Sequence, residues 1–328
     1  MSAPRHPAAT GAVQQSAGGA ATRTTSPPAA PSLESLGVRS RVSAEAASTR
    51  GLGPAGGGAW VLLRGLTRES RHWGDFPLLL RAELGRPEVV MLDLPGNGLL
   101  HAQRSRSRVE EMAGFCRAQL MRRAIDPPYR VIGLSLGAMV AVAWAAHHPG
   151  EVAAAVLVNT SLRPYGRAAQ RLRPAAWPAL LRLALLDPAP RRREEAVLRL
   201  TAAHPPADRE ALLRDWVAWR RECPVTRANT LRQLWAAARY RAPAAAPLER
   251  LLILASRRDA LVDPECSRRL AGAWQAELRE HPDAGHDLPL DDGAWVARQI
   301  RLWLVAESTA RAPAAGAAAH DDLSGAAP

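Results

Sequence analysis

Residues 129–141 read Tyr129-Arg130-Val131-Ile132-Gly133-Leu134-Ser135-Leu136-Gly137-Ala138-Met139-Val140-Ala141. The apolar run 129–134 has the composition of a buried strand, 136–147 that of a helix, and between them two glycines flank one serine. A G-x-S-x-G match arises by chance in roughly one chain in ten of this length, so the five letters carry little alone. Their placement carries more. A nucleophilic serine at a tight strand-to-helix turn has its hydroxyl lifted clear of the sheet, where bulk two residues to either side would collide. Gly133 and Gly137 supply that room, and the start of the helix brings its positive dipole end to Ser135. The competing reading is a surface serine in a glycine-rich loop.

Outward from this turn, short continuous apolar runs alternate with longer amphipathic stretches, the pattern of βαβ units around a buried parallel sheet. Strands are predicted at 60–63, 89–92, 129–134, 152–158, 251–255 and about 276–280, and helices at 76–84, 107–123, 136–147, 264–274 and 292–305. Between the fourth and fifth strands, residues 161–247 hold no convincing strand and far exceed an ordinary connection. Leu212, Leu213, Trp216, Val217 and Trp219 form one helical apolar face, and Leu231, Leu234, Trp235 and Ala238 another, with Trp216, Trp219 and Trp235 read as lid core. The expected fold class is therefore α/β, a mostly parallel doubly wound sheet with an inserted all-helical lid at the carboxyl edge, where ligands of open sheets bind. The folded domain is expected at 59–306. Residues 1–58 and 307–328, rich in Ala, Ser, Thr, Pro and Gly, read as disordered tails.

A serine hydroxyl needs a general base, and the base an orienting carboxylate. Asp259 follows the strand 251–255, and His286 follows the last strand in Asp283-Ala284-Gly285-His286-Asp287. Both lie at carboxyl ends of strands, as Ser135 does. Asp263 competes with Asp259, although capping the helix at Pro264 is a sufficient task for it. His281 ends a strand before Pro282, and His147 and His148 end a helix, where cationic groups are favoured. The oxyanion donors expected are the backbone amides of Leu136, directly after the nucleophile, and of Leu66, after the first strand. Trp73 faces either the pocket or the core.

Composition removes other classes. All 43 basic residues among the 328 are arginine, which excludes a Schiff-base or P-loop lysine. The net charge of +12 is concentrated in 161–247, with 17 Arg against 7 acidic residues, and that segment matches no nucleic-acid reader motif. Cys116, Cys223 and Cys266 have neither disulfide-framework nor zinc spacing and read as buried thiols. No run approaches the roughly 18 apolar residues of a spanning helix, and no secretory signal is recognisable, so a cytoplasmic location is expected. No cofactor and no metal is called for. The sequence sets no oligomeric state.

From about Trp60 to Val305 the chain resembles the lidded α/β-hydrolase superfamily of serine esterases and lipases. The likeness lies in Arg64-Gly65, Asp93-Leu94-Pro95-Gly96-Asn97-Gly98, the turn at Ser135, Asp259 and Gly285-His286. It implies a small-molecule ester substrate cleaved through an acyl-enzyme on a Ser135, Asp259, His286 triad. Thioester, carbon–carbon and perhydrolytic chemistry on the same triad, or a binding protein that keeps the fold, are the alternatives. Arg64 stands where relatives carry histidine, and the two leading antiparallel strands are not recognisable. Arg163, Arg167 and Arg171, spaced as on one helix face near Arg191, Arg192 and Arg193, admit an anionic or carrier-protein-bound substrate. A solvated face in an arginine-rich chain is the simpler reading.

Overall fold

The computed structural model describes residues 58–185 and 189–311. The expectations for 1–57 and 312–328 lie outside the described residues. Six strands, β1 (Trp60–Leu63), β2 (Val89–Leu92), β3 (Tyr129–Leu134), β4 (Val152–Val158), β5 (Leu251–Ser256) and β6 (Glu277–His281), form one sheet in the order β2-β1-β3-β4-β5-β6. Every pairing is parallel. The predicted doubly wound architecture is thus the observed one.

Both sheet faces are covered, which explains why the central strands read as unbroken apolar runs. Val61, Leu63, Val131, Leu157 and Ile253 point to one core, shared with helices α2 (Val109–Arg122), α3 (Leu136–His147) and α9 (Glu265–Trp274). Trp60, Leu62, Ile132, Val156 and Leu254 point to the other, shared with α1 (Phe76–Glu83) and α10 (Leu288–Arg311). The edge strand β6 is Glu-Leu-Arg-Glu-His and only partly buried. Charge on an exposed edge deters pairing with another sheet.

α10 runs past the predicted end at 305 to Arg311, and its backbone breaks at Asp292. Asp292 caps the long part by accepting from Trp295 N at 2.8 Å. Near its far end Arg250 donates to Glu307 at 2.5 Å, a pairing between distant residues that composition does not announce.

Between β4 and β5 lie α4 (Ala168–Arg171), α5 (Trp177–Leu185), α6 (Pro190–Thr201), α7 (Arg209–Glu222) and α8 (Arg227–Arg239), here called the cap. Leu198, Leu213 and Trp216 form a small core of their own between α6 and α7. Two sequence expectations fail here. The arginines at 163, 167 and 171 make no stripe, because Arg163 and Arg167 precede the four-residue α4 and Arg171 turns inward to the carbonyls of Ala237 and Ala238. The apolar face of α8 points outward: Leu231, Leu234 and Trp235 are exposed, whereas Asn229, Gln233 and Ala236 are buried.

Candidate active site

The strand order reverses between β1 and β3, so the chains leaving their carboxyl ends diverge and open a crevice. Ser135 sits there, between β3 and α3, with φ 55° and ψ −111°. A non-glycine residue in that region costs roughly 1–3 kcal/mol, sustained only by surroundings that fix it. The fixing contacts are Ser135 N donating to Val158 O at 2.9 Å and Thr160 Oγ1 donating to Ser135 O at 3.0 Å. The flanking glycines are sterically required. A Cβ at Gly133 would lie 2.5 Å from the Ala138 backbone, and one at Gly137 2.1 Å from Leu63 O.

The loop after β1 passes close beside Ser135, since a Cβ on Gly65 would sit 3.2 Å from that of Ser135. Leu66 is the next residue of this loop. Among the described residues, neither the Leu66 nor the Leu136 amide has a protein acceptor. The following amide, Thr67 N, is held by Gln233 Oε1 of α8 at 2.9 Å. Gln233 also donates to Asn97 and Ser105, and Asn97 donates to Arg68 O, so a buried amide network fixes this loop to the cap. The Asp93 turn joins the same corner, accepting from Ser70 N, Ser70 Oγ and Leu99 N.

Asp259 and His286 are brought together, with His286 Nδ1 2.7 Å from Asp259 Oδ2. A carboxylate only accepts, so Nδ1 carries the proton and Nε2 keeps its lone pair. The other oxygen of Asp259 accepts from Leu261 N and Val262 N, which fixes the carboxylate plane. Burial opposes the imidazolium, but the Asp259 charge, its hydrogen bond and Asp287 together outweigh burial and Arg64. His286 is therefore held above the ordinary imidazole range. Ser135 Oγ and His286 share no hydrogen bond among those of the described residues. The two lie against the same strand end, because Asn159, one residue after β4, donates to the carbonyls of Gly285 and His286 while Val158 and Thr160 hold Ser135.

The competing residues have structural tasks. Asp263 accepts from Glu265 N at the start of α9. His281 accepts from Asp283 N and Ala284 N and packs edge-on against Trp295. His147 contacts the carbonyl of Ala143 within its own helix. Trp73 is buried against Phe76 and does not face solvent. The three cysteines are buried and free.

Two features escaped the sequence reading. Asn159, buried with φ 46°, also bonds Ser256 through both ends of its amide, so one side chain pins β5 to the His286 loop. Its only signal is a polar residue directly after a continuous apolar strand. The second is a buried ion pair: Arg64 donates through both terminal nitrogens to Asp287, at 3.0 and 2.5 Å, while its guanidinium stacks 4.9 Å from Trp73. The residue before Gly65 is thereby clamped to the residue after His286. The sequence marked Arg64 as unusual; its partner is 223 residues away. The cap contributes as well. Thr201 O, at the end of α6, accepts from Asp287 N at 2.7 Å, and Gly285 is pressed so close to α6 that a Cβ would lie 2.8 Å from Thr201 O.

A sequence profile described as the alpha/beta hydrolase family matches residues 60–299. Among curated proteins none matches the chain significantly. Solved structures with a similar fold include a bacterial membrane phospholipase A, at TM-score 0.62 and 19% identity over 78% of this chain and 80% of that one. A thermophilic esterase from Thermogutta terrifontis matches at TM-score 0.59 and 20% identity over 76% and 90%. An esterase from a Rhodococcus species matches at 0.58 and 21% over 76% and 90%. With its sheet, its loops and this profile in agreement over most of the folded region, the chain belongs to the alpha/beta hydrolase family.

Proposed function

We propose that the protein is a cofactor-independent serine hydrolase that cleaves carboxylic esters of small molecules through an acyl-enzyme. The observation that carries this reading is the buried Asp259–His286 contact, beside a serine held in a strained turn at the same sheet edge. In the proposed cycle His286 Nε2 takes the Ser135 proton as Oγ attacks the ester carbonyl. The Leu66 and Leu136 amides receive the charge that develops on the carbonyl oxygen. His286 returns the proton to the departing alcohol. Water then repeats the sequence, giving its proton to His286 and its oxygen to the acyl carbon, and Ser135 is released with the acid. Contacts between nucleophile and base are often loose without substrate and tighten in the reacting complex. The hydrolases of similar fold described as esterases are consistent with this substrate class. In this reading the cap, held to the oxyanion loop through Gln233 and to the His286 loop through Thr201, acts as a lid that selects the acyl group.

A series of p-nitrophenyl esters of increasing chain length tests the proposal. Turnover is expected for at least one ester, with kcat falling by about 10⁴-fold or more in Ser135→Ala. Turnover that survives in Ser135→Ala would contradict it.

A further inference from the structure

Helix α8 is amphipathic in the wrong sense for a solvent-exposed cap. Asn229 and Gln233 occupy its inner side, while Leu231, Leu234 and Trp235, one stripe by their spacing, are 61%, 36% and 56% exposed on its outer side. A continuous apolar stripe turned to water is a mark of an interaction surface. The second observation concerns charge. All seven acidic residues of 161–247 fall between 187 and 222, where eight arginines balance them. The flanking stretches, 161–186 and 223–248, carry nine arginines and no Asp or Glu; of these, Arg171 turns inward to the carbonyls of Ala237 and Ala238, and Arg173 lies 3.7 Å from Asp263 and donates to Asp259 O. The excess positive charge of the cap thus belongs almost wholly to the two stretches that expose apolar side chains. The first of these holds α5, whose Trp177 and Leu181 are also exposed. Arg171 ties this stretch to the end of α8, and Ala242 N donates to Arg163 O at 2.8 Å, so the two run side by side there. The Arg239 guanidinium lies 5.0 Å from the Trp235 ring.

We infer that the outer face of α8, with the neighbouring acid-free stretch of the cap, docks on an anionic phospholipid membrane. Tryptophan and leucine gain by entering the acyl boundary while arginines at the same level meet phosphate headgroups. Charge spread along two stretches suits a layer of headgroups better than the point-to-point carboxylates of a protein partner. The inner side of the same helix holds Thr67 N through Gln233, so the docked surface would lie one helix diameter, about 10 Å, from the oxyanion loop.

The inference goes beyond the hydrolase reading and is tested without turnover, in full-length Ser135→Ala. This protein is expected to sediment with vesicles of phosphatidylglycerol and phosphatidylcholine in equal parts, and little with phosphatidylcholine alone. Leu231→Ser with Trp235→Ser is expected to lower partitioning about tenfold or more, and Arg239→Gln about fivefold at low salt. These positions are exposed, so an unchanged melting temperature separates lost docking from lost folding. The inference is overturned by any of three results: no sedimentation with the anionic vesicles, equal binding by the apolar double variant, or a solution dimer that the double variant dissolves.

Discussion

The Arg64–Asp287 pair allows a prediction worked directly from its geometry. Both side chains are almost fully excluded from water, at 3% and 5% exposure, and the contact is bidentate. Arg64 Nε is already buried without a partner, so the guanidinium has no second acceptor to turn to. Replacing Asp287 by leucine leaves that cation buried and uncompensated, a loss of about 3–5 kcal/mol. For a domain of this size each kcal/mol moves Tm by about 2–4 °C, so a fall of roughly 6–20 °C is expected in a thermal melt followed by circular dichroism. The double variant Arg64→Met/Asp287→Leu removes both charges at similar volume and should recover most of the stability, since well-packed apolar replacements of buried pairs are often neutral or better. Recovered stability need not bring recovered turnover, because the pair also joins the loop after β1 to the His286 loop. A melt of Asp287→Leu within about 2 °C of the parent would refute the reasoning, because it would mean that water reaches Arg64.

His286 must be neutral to act as a base, and its pKa lies above the ordinary imidazole value, so the acid limb of kcat/KM is expected above about pH 6.5. The charged groups around it are Asp259 and Asp287, which raise it, and Arg64, which lowers it; Asp287→Asn should therefore shift the limb to lower pH in a pH–rate profile. In Gly137→Ala the added methyl would sit 2.1 Å from Leu63 O, a backbone atom that cannot step aside, and a loss of about 3 kcal/mol or more is expected in urea melts. Glu194 of α6 is buried between Arg68 and Arg220, which together overcome the effect of burial and hold its carboxyl below the ordinary range. Its stabilising contribution is complete above the unfolded value and lost as pH falls through the folded one. Glu194→Gln should cost about 3–5 kcal/mol at neutral pH and flatten the acid side of the stability profile measured by chemical denaturation.

The sheet was legible because a parallel strand buried on both faces must be largely apolar, as β1 and β4 are throughout, β3 is apart from Arg130, and β5 is up to its last residue, Ser256. The turn at Ser135 was legible because close approach of two backbones excludes every side chain but glycine at 133 and 137. Asp259 and His286 could be placed at strand ends by order alone. The contacts that hold them could not, since Asn159, Thr201 and Arg64 act across the fold and nothing local selects their partners. α8 was misread for a related reason: spacing fixes which residues share a face, whereas the inward side is decided by what lies beneath. There the loop after β1 presents the Thr67 amide to Gln233, and Asn97 and Ser105 complete the polar floor. The arginines at 163, 167 and 171 share no helix face because the chain around Pro164 and Gly166 is not helical and α4 begins only at Ala168.

The proposed function stands on Ser135 as the nucleophile and His286 as its base. The most direct measurement is the reaction of the intact protein with a fluorophosphonate, followed by peptide mass spectrometry. One adduct is expected, on Ser135, lost in Ser135→Ala and strongly slowed in His286→Ala. An unlabelled parent protein, or an adduct on another residue that persists in Ser135→Ala, would contradict it.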